Sequence, residues 1–197
     1  MVLVSSPDQI GFWRDLLAGQ DTAAGDDDTV VVLRRYDRRG LRDWTQQHNV
    51  YETEERLTRL AAVTGGWPIL LDKVLELRHA HQDQDSALEK LEKLEKWLTT
   101  KENVQEFIDA VGLEPTATAG EHELIRRCYE AVVGELGVEW NLEADCVTAA
   151  ELAGLSPEDA PWALACLESL QALDRQGPRL RVEPVLHQAL GILSAQD

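Results

Sequence analysis

The stretch RLTRLAAVTGGWPILLDKV, residues 56–74, decides how this chain folds. Apolar residues recur at helical spacing on both sides of its Gly-Gly-Trp-Pro centre, which predicts two helices joined by a short turn. Gly65 and Gly66 suit the left-handed end of the first helix, and Pro68 presets φ for the start of the second. The sequence therefore predicts a tight turn between two helices, with Trp67 packed beneath it.

The pattern stays helical on either side of this turn, from Gly40 to Leu113. In the fourth predicted helix a stripe of leucines is separated by Glu-Lys pairs, and it is too short for a coiled coil. It is typical of a helix packed against its neighbours. The small, polar stretch EPTATAG at 114–120 is the predicted domain boundary. The predicted helices cover 40–48, 53–63, 68–80, 85–98 and 101–112.

The first 39 residues predict a short α/β segment. Val2–Val4 and Thr29–Leu33 are apolar runs without alternation, which indicates strands covered on both faces, as in a parallel sheet. A helix between them is predicted to begin after Ser6. Two strands cannot form a stable sheet alone. We therefore expect this segment to be the edge of a larger α/β core that lies outside the sequence.

Residues 121–197 show a different order of elements. A first helix is followed by a Thr-x-x-Glu capping box at Thr148, which predicts the start of a second helix ending at Gly154. Ser156 is predicted to cap a third helix. A hairpin is predicted around Gln176–Pro178, and a last helix follows it. This order resembles a winged helix-turn-helix, so the predicted fold class is mainly α, with a short α/β edge, a helical bundle and a winged helix.

Charge restricts the partners of this chain. Its 197 residues carry 36 acidic against 19 basic side chains, a net charge of −17. Residues 121–197 contain 14 acidic and 5 basic residues, and 157–171 contain no lysine or arginine. This argues against nucleic acid and anionic membranes as partners, because phosphates need basic surfaces. No apolar run approaches the ~20 residues that cross a bilayer, and three cysteines without a CxxC pair predict reduced thiols and a cytoplasmic location.

The stretch 56–74 follows a predicted buried strand and an arginine-rich turn, and it precedes the winged-helix pattern. In this context it resembles the lid region of STAND-type signalling ATPases of the AAA+ superfamily. In that family a G-x-P motif leads into a helical lid and places its proline beside the adenine base. The resemblance implies that Gly66, Trp67 and Pro68 lie on the adenine side of a nucleotide site. It also implies that Ser5 or Ser6 stands at the first sensor position.

The same resemblance divides the chain into three parts. It implies an edge of a nucleotide-binding core at 1–39, a helical lid at 40–113 and a winged-helix domain at 121–197. The sequence departs from the family in one respect: it contains neither a G-x-x-x-x-G-K-[ST] loop nor a strand ending in paired acids. We therefore expect no binding or hydrolysis of ATP by this chain alone. The phosphate loop and the metal-binding acids are needed to stabilise the charge on the transferred phosphoryl group. ATP or ADP is expected only with a complete core.

Five arginines within nine residues form the densest basic cluster of the chain. Guanidinium groups can bind anions through bidentate hydrogen bonds. They are a candidate contact for nucleotide phosphates or an acidic partner. The alternative is a solvated turn, balanced by Asp37 and Asp43. The five residues are Arg34, Arg35, Arg38, Arg39 and Arg42.

The leading hypothesis is the lid and winged-helix region of a STAND-like ATPase, acting in nucleotide-gated protein–protein signalling. Its partner would be another protein or the remainder of an ATPase chain. A first alternative is a stand-alone adaptor, and a second is a winged-helix DNA-binding regulator that uses Arg179 and Arg181. No metal site is predicted, because His79 and His81, two positions apart on a helix, point in different directions.

Overall fold

The computed structural model describes residues 35–50, 53–80, 87–113 and 120–195. The predicted strands at Val2–Val4 and Thr29–Leu33, the sensor serines and Arg34 lie outside the described residues. So do residues 114–119 of the predicted boundary at 114–120. The described residues fall into two compact units. The first unit contains 35–110 and 184–195, and the second contains 111–183.

The described part of the chain is mainly helical, as the sequence predicts, with one small antiparallel sheet. The order is α1 (Arg38–His48), α2 (Glu54–Thr64), α3 (Pro68–Ala80), α4 (Ala87–Trp97), α5 (Lys101–Val111), α6 (Gly120–Leu136), β1 (Asn141–Leu142), α7 (Glu143–Leu152), α8 (Asp159–Ser169), β2 (Leu173–Gln176), β3 (Arg179–Val182) and α9 (Pro184–Ser194). None of these helices is long and apolar enough to cross a membrane.

The first unit begins with two capped helices. The Asp37 carboxylate accepts a hydrogen bond from the amide of Gly40 at 2.7 Å, and the Thr53 hydroxyl accepts one from Arg56 at 3.3 Å. Each bond satisfies an amide that a helix start leaves without a partner. The five helices predicted between Gly40 and Leu113 are confirmed, and the ends that do not border residues 81–86 lie within two residues of the predicted ones.

Apolar faces of α1 to α4 form the core of the first unit. Helix α2 packs against α1 and α4, and α3 packs against α4. Helix α9 also belongs to this unit and packs against α2, although the sequence assigns it to the segment 121–197. The buried core residues are Leu41, Trp44, Leu57, Leu60, Val63, Leu71, Val74, Leu91 and Leu94.

The second unit packs α6, α7 and α8 against one another beside a three-stranded sheet of order β1-β3-β2. The predicted hairpin is present: Leu173 pairs with Val182, and Gln176 pairs with Arg179. Gly177 turns it with φ of 59°, a conformation that glycine adopts without strain. The capping box predicted at Thr148 is wrong, because α7 already begins at Glu143.

Candidate functional site

The Gly-Gly-Trp-Pro turn between α2 and α3 is held by local hydrogen bonds from its own backbone amides to Thr64. Thr64, the last residue of α2, accepts a hydrogen bond on its hydroxyl from the amide of Gly66 at 3.2 Å. The amide of Trp67 donates to the carbonyl of Thr64 at 2.9 Å. Gly65 and Gly66 have φ of 57° and 75°, in the left-handed region that favours glycine. Pro68 then starts α3, so the predicted turn is confirmed.

The turn is also bonded to the strap, which we define as Arg35, Tyr36 and Asp37. The amide of Tyr36 donates to the carbonyl of Gly66 at 2.8 Å. A guanidinium nitrogen of Arg35 donates to the carbonyl of Gly65 at 3.0 Å. A Cβ added at Gly66 would lie 2.1 Å from the carbonyl oxygen of Tyr36. The close approach of the strap therefore requires glycine at this position.

Trp67 packs beneath the turn, as predicted. Its side chain is 5% exposed. The Arg35 guanidinium lies over the indole ring, 5.2 Å from its centroid, and Phe107 of α5 meets it edge-on at 5.5 Å. Both arrangements stabilise an indole beyond the burial of its area. Trp67 is thus a structural anchor that fixes where Pro68 stands.

The three residues expected beside adenine differ in accessibility. Gly66 and Trp67 are buried, whereas Pro68 is exposed. Tyr36, which the sequence did not single out, is 40% exposed and belongs to the strap on the other side of Gly66. The turn can therefore offer the ring of Pro68 to a ligand, on a backbone fixed from both ends. It offers no phosphate-binding loop.

The predicted arginine cluster is divided among different contacts. Arg35 lies on Trp67, while Arg38 and Arg42 both hold the carboxylate of Glu54, at the start of α2. Hydrogen bonds from Arg38 and then Arg42 lower the pKa of Glu54 below its ordinary value. Arg39 is exposed, and no described residue forms an ion pair with it. The described arginines therefore do not converge on one anion site.

The acids that balance these arginines differ from those expected. Asp37 caps α1 and forms no ion pair with a described arginine. Glu54 binds Arg38 and Arg42, the role that was expected of Asp37 and Asp43. Sequence reasoning missed Glu54 because it lies on the next helix. The only signal available was that Arg38 and Arg42 are four residues apart and so share one helix face.

The three cysteines of the second unit are buried and form no disulfide bond. Burial, with a smaller contribution from the other two thiols, raises the pKa of Cys128 to about 12. Burial and the nearby carboxylates of Asp145 and Glu143 raise the pKa of Cys146 to about 11. Such thiols stay protonated and are poor nucleophiles. Among the described residues no group of three potential ligands could hold a metal ion.

Two of the three arginines of the β2–β3 hairpin, Arg175 and Arg181, are held by carboxylates, whereas Arg179 is exposed. Arg175 binds Glu168 of α8 through two nitrogens, at 2.5 and 2.6 Å, and reaches Glu143 at 2.9 Å. Arg181 pairs with Asp174 at 2.8 Å and lies over the ring of Trp140 at 4.7 Å. These contacts occupy two of the three hairpin arginines, so the hairpin offers little positive charge to a nucleic-acid backbone.

Comparison with known protein families, with curated proteins and with solved structures finds no match to this chain. The geometry of the turn and the distribution of charge are therefore the basis for a proposed function.

Proposed function

We propose that this chain is the lid and regulatory region of a STAND-like ATPase and acts in nucleotide-gated protein–protein signalling. The observation that carries the proposal is the exposed Pro68 on a turn that Tyr36 and Trp67 hold in place. A ring presented on a rigid backbone loses little entropy when it packs against a flat base. Adenine is such a base, and it is the partner that the Gly66-Trp67-Pro68 motif implies.

Binding of a nucleotide would require residues beyond those described. Pro68 would supply one apolar face for adenine, and the phosphates would need a loop that this sequence does not contain. ATP or ADP is therefore the proposed cofactor of a completed core, and hydrolysis would depend on that core. This chain's own part would be to orient the base and to respond to its presence.

Gating requires that nucleotide favour one of two arrangements of the lid. Helix α9 offers a route for the response, because it packs against α2 and is joined to β3 by a single residue, Glu183. We interpret α6, α7, α8 and the β2–β3 hairpin as a winged helix used for protein contact. The excess of carboxylates in 121–197, together with the ion pairs of Arg175 and Arg181, favours a protein partner over DNA.

The test is nucleotide binding by calorimetry, first with this chain alone and then with a P-loop polypeptide encoded beside it, fused or mixed. The chain alone should give no heat of binding, and the completed core should bind ATP. Pro68→Ala should weaken that binding about fivefold, the loss expected for about 1 kcal/mol of apolar contact. Pro178→Ala, at the exposed hairpin turn, is the matched control. Equal affinity for Pro68→Ala and the unsubstituted chain would disprove the placement.

The rival is a stand-alone adaptor, which the missing phosphate loop favours. The sequence upstream of this chain discriminates the two. A continuous reading frame with a P-loop supports the ATPase. An upstream stop codon, with no ATP binding by any mixture, supports the adaptor.

A further inference from the structure

Leu152, the last residue of α7, is 78% exposed to solvent. The other large hydrophobic residues exposed in the described part of the chain are Tyr36 at 40% and Leu142 at 46%. A leucine that packed within its own unit would be covered. Its exposure leaves most of the apolar area available for a contact that the described residues do not make.

The connection that carries Leu152 into α8 is firmly held. The carbonyl of Ala153 accepts a hydrogen bond from Arg127 of α6 at 2.8 Å. Leu155 is buried, and its amide donates to the carbonyl of Ala150 at 3.1 Å. Ser156 accepts a hydrogen bond from the amide of Asp159 at 3.0 Å. Leu152 is thus presented on a preorganised backbone, which lowers the entropy cost of docking.

The residues along this connection are apolar or small. Arg127 of α6 lies beside them, on the carbonyl of Ala153, and the charged residues of the connection itself are all acidic. Ala153, Gly154, Pro157 and Pro161 are exposed. From Glu143 to Asp174 the sequence has no lysine, arginine or histidine. Of its seven carboxylates in this stretch, Glu143, Glu168 and Asp174 bind Arg175 or Arg181. The other four, which form no ion pair with a described residue, are Asp145, Glu151, Glu158 and Asp159.

We propose that Leu152 and the exposed residues Ala153, Gly154, Pro157 and Pro161, together called the Leu152 surface, dock a basic amphipathic segment of a partner protein. Leu152 would enter an apolar stripe of that segment, and lysines or arginines of the segment would meet the carboxylates of Glu151, Glu158 and Asp159. A second copy of this chain, a nucleic acid or an anionic membrane would bring like charge to the surface. This inference rests on the protein-contact part of the proposed function and names the partner chemistry.

The test uses the full chain without nucleotide and a fluorescent helical peptide of leucine and lysine, about 18 residues long. Anisotropy should show binding that weakens as salt is raised. Leu152→Ser should weaken it about tenfold without changing Tm, because the removed side chain is exposed. Leu142→Ser is the matched control, since Leu142 lies at the other end of α7, and it should bind as the unsubstituted chain does.

Three results would overturn the proposal. The first is binding by Leu152→Ser that equals that of the unsubstituted chain, which indicates attraction by net charge alone. The second is equal binding of a leucine–glutamate peptide of the same pattern. The third is self-association of the chain that Leu152→Ser abolishes, which would make a second copy the occupant. Because no nucleotide is present, none of these results bears on Pro68, and failure at Pro68 would leave this binding unaffected.

Discussion

The backbone amide of Tyr36 donates to the carbonyl of Gly66 at 2.8 Å, and the carbonyl of Tyr36 occupies the space that a side chain at Gly66 would need. The strap and the turn are therefore joined at one residue, in both hydrogen bonding and packing. Pro68 lies two residues further on, so its position follows from the path of the strap. A substitution at Tyr36 or Gly66 should therefore move Pro68 and weaken the binding of any ligand that contacts it.

Gly66→Ala should destabilise the first unit. Alanine at φ of 75° is strained, and its Cβ would displace the Tyr36 carbonyl and its neighbouring hydrogen bond. We expect the free energy of unfolding to fall by about 2–3 kcal/mol. Urea unfolding followed by tryptophan fluorescence measures it.

The same substitution at Gly191 is the control, because Gly191 lies within α9 and its Cβ would meet no atom within 4 Å. Gly191→Ala should leave stability unchanged or raise it by up to about 1 kcal/mol. Equal losses in the two variants would contradict the close approach at Gly66.

Arg35→Ala should remove two contacts of the turn at once. The guanidinium lies over Trp67 and donates to the carbonyl of Gly65. The two contacts together predict a loss of about 1–2 kcal/mol in the free energy of unfolding. Arg39→Ala, an exposed arginine three residues past Tyr36, should change stability by less than about 0.5 kcal/mol. If both variants unfold at the same urea concentration, Arg35 does not anchor the turn.

The glycine pair and proline made the turn predictable from sequence. Left-handed φ at Gly65 and Gly66 and preset φ at Pro68 are local requirements, so no distant residue has to be known. The same holds for the hairpin, which Gly177 turns between runs that can pair. The helices of the first unit were predictable because their apolar spacing persists over several turns.

Partners distant in sequence were not predictable. Glu54 binds two arginines that precede it by 12 and 16 residues, and only the packing of α1 against α2 brings them together. At Thr148 the local pattern was misleading. Its hydroxyl donates to the carbonyl of Ala144 inside α7. A Thr-x-x-Glu sequence can occur within a helix as well as at its start, so the motif alone does not locate the start. The strand β1 has two residues, too few for any periodicity.

The Glu54 carboxyl should titrate below its ordinary pKa of 4.5, because Arg38 and Arg42 donate hydrogen bonds to its charged form. A lowered native pKa adds stability above pH 4.5, which is lost as the pH falls through the native pKa. Carbon-detected NMR titration measures it. Arg42→Ala should raise the pKa of Glu54 toward 4.5, whereas Arg59→Ala, whose arginine pairs with Glu95, should not. An unshifted Glu54 in the unsubstituted chain would exclude the pairing in solution.

The three thiols of the second unit should resist modification while that unit is folded. Burial raises the pKa of Cys128 from 9.0 to about 12, so at pH 8 its thiolate is roughly a thousandfold rarer than in an unfolded chain. Because the thiol of the unfolded chain loses its proton at lower pH than the folded one, the free energy of unfolding should fall as the pH increases from 9 toward 12. Labelling with a chromogenic disulfide should be slow in buffer and rapid in urea. Prompt labelling in buffer would show that the thiols are accessible.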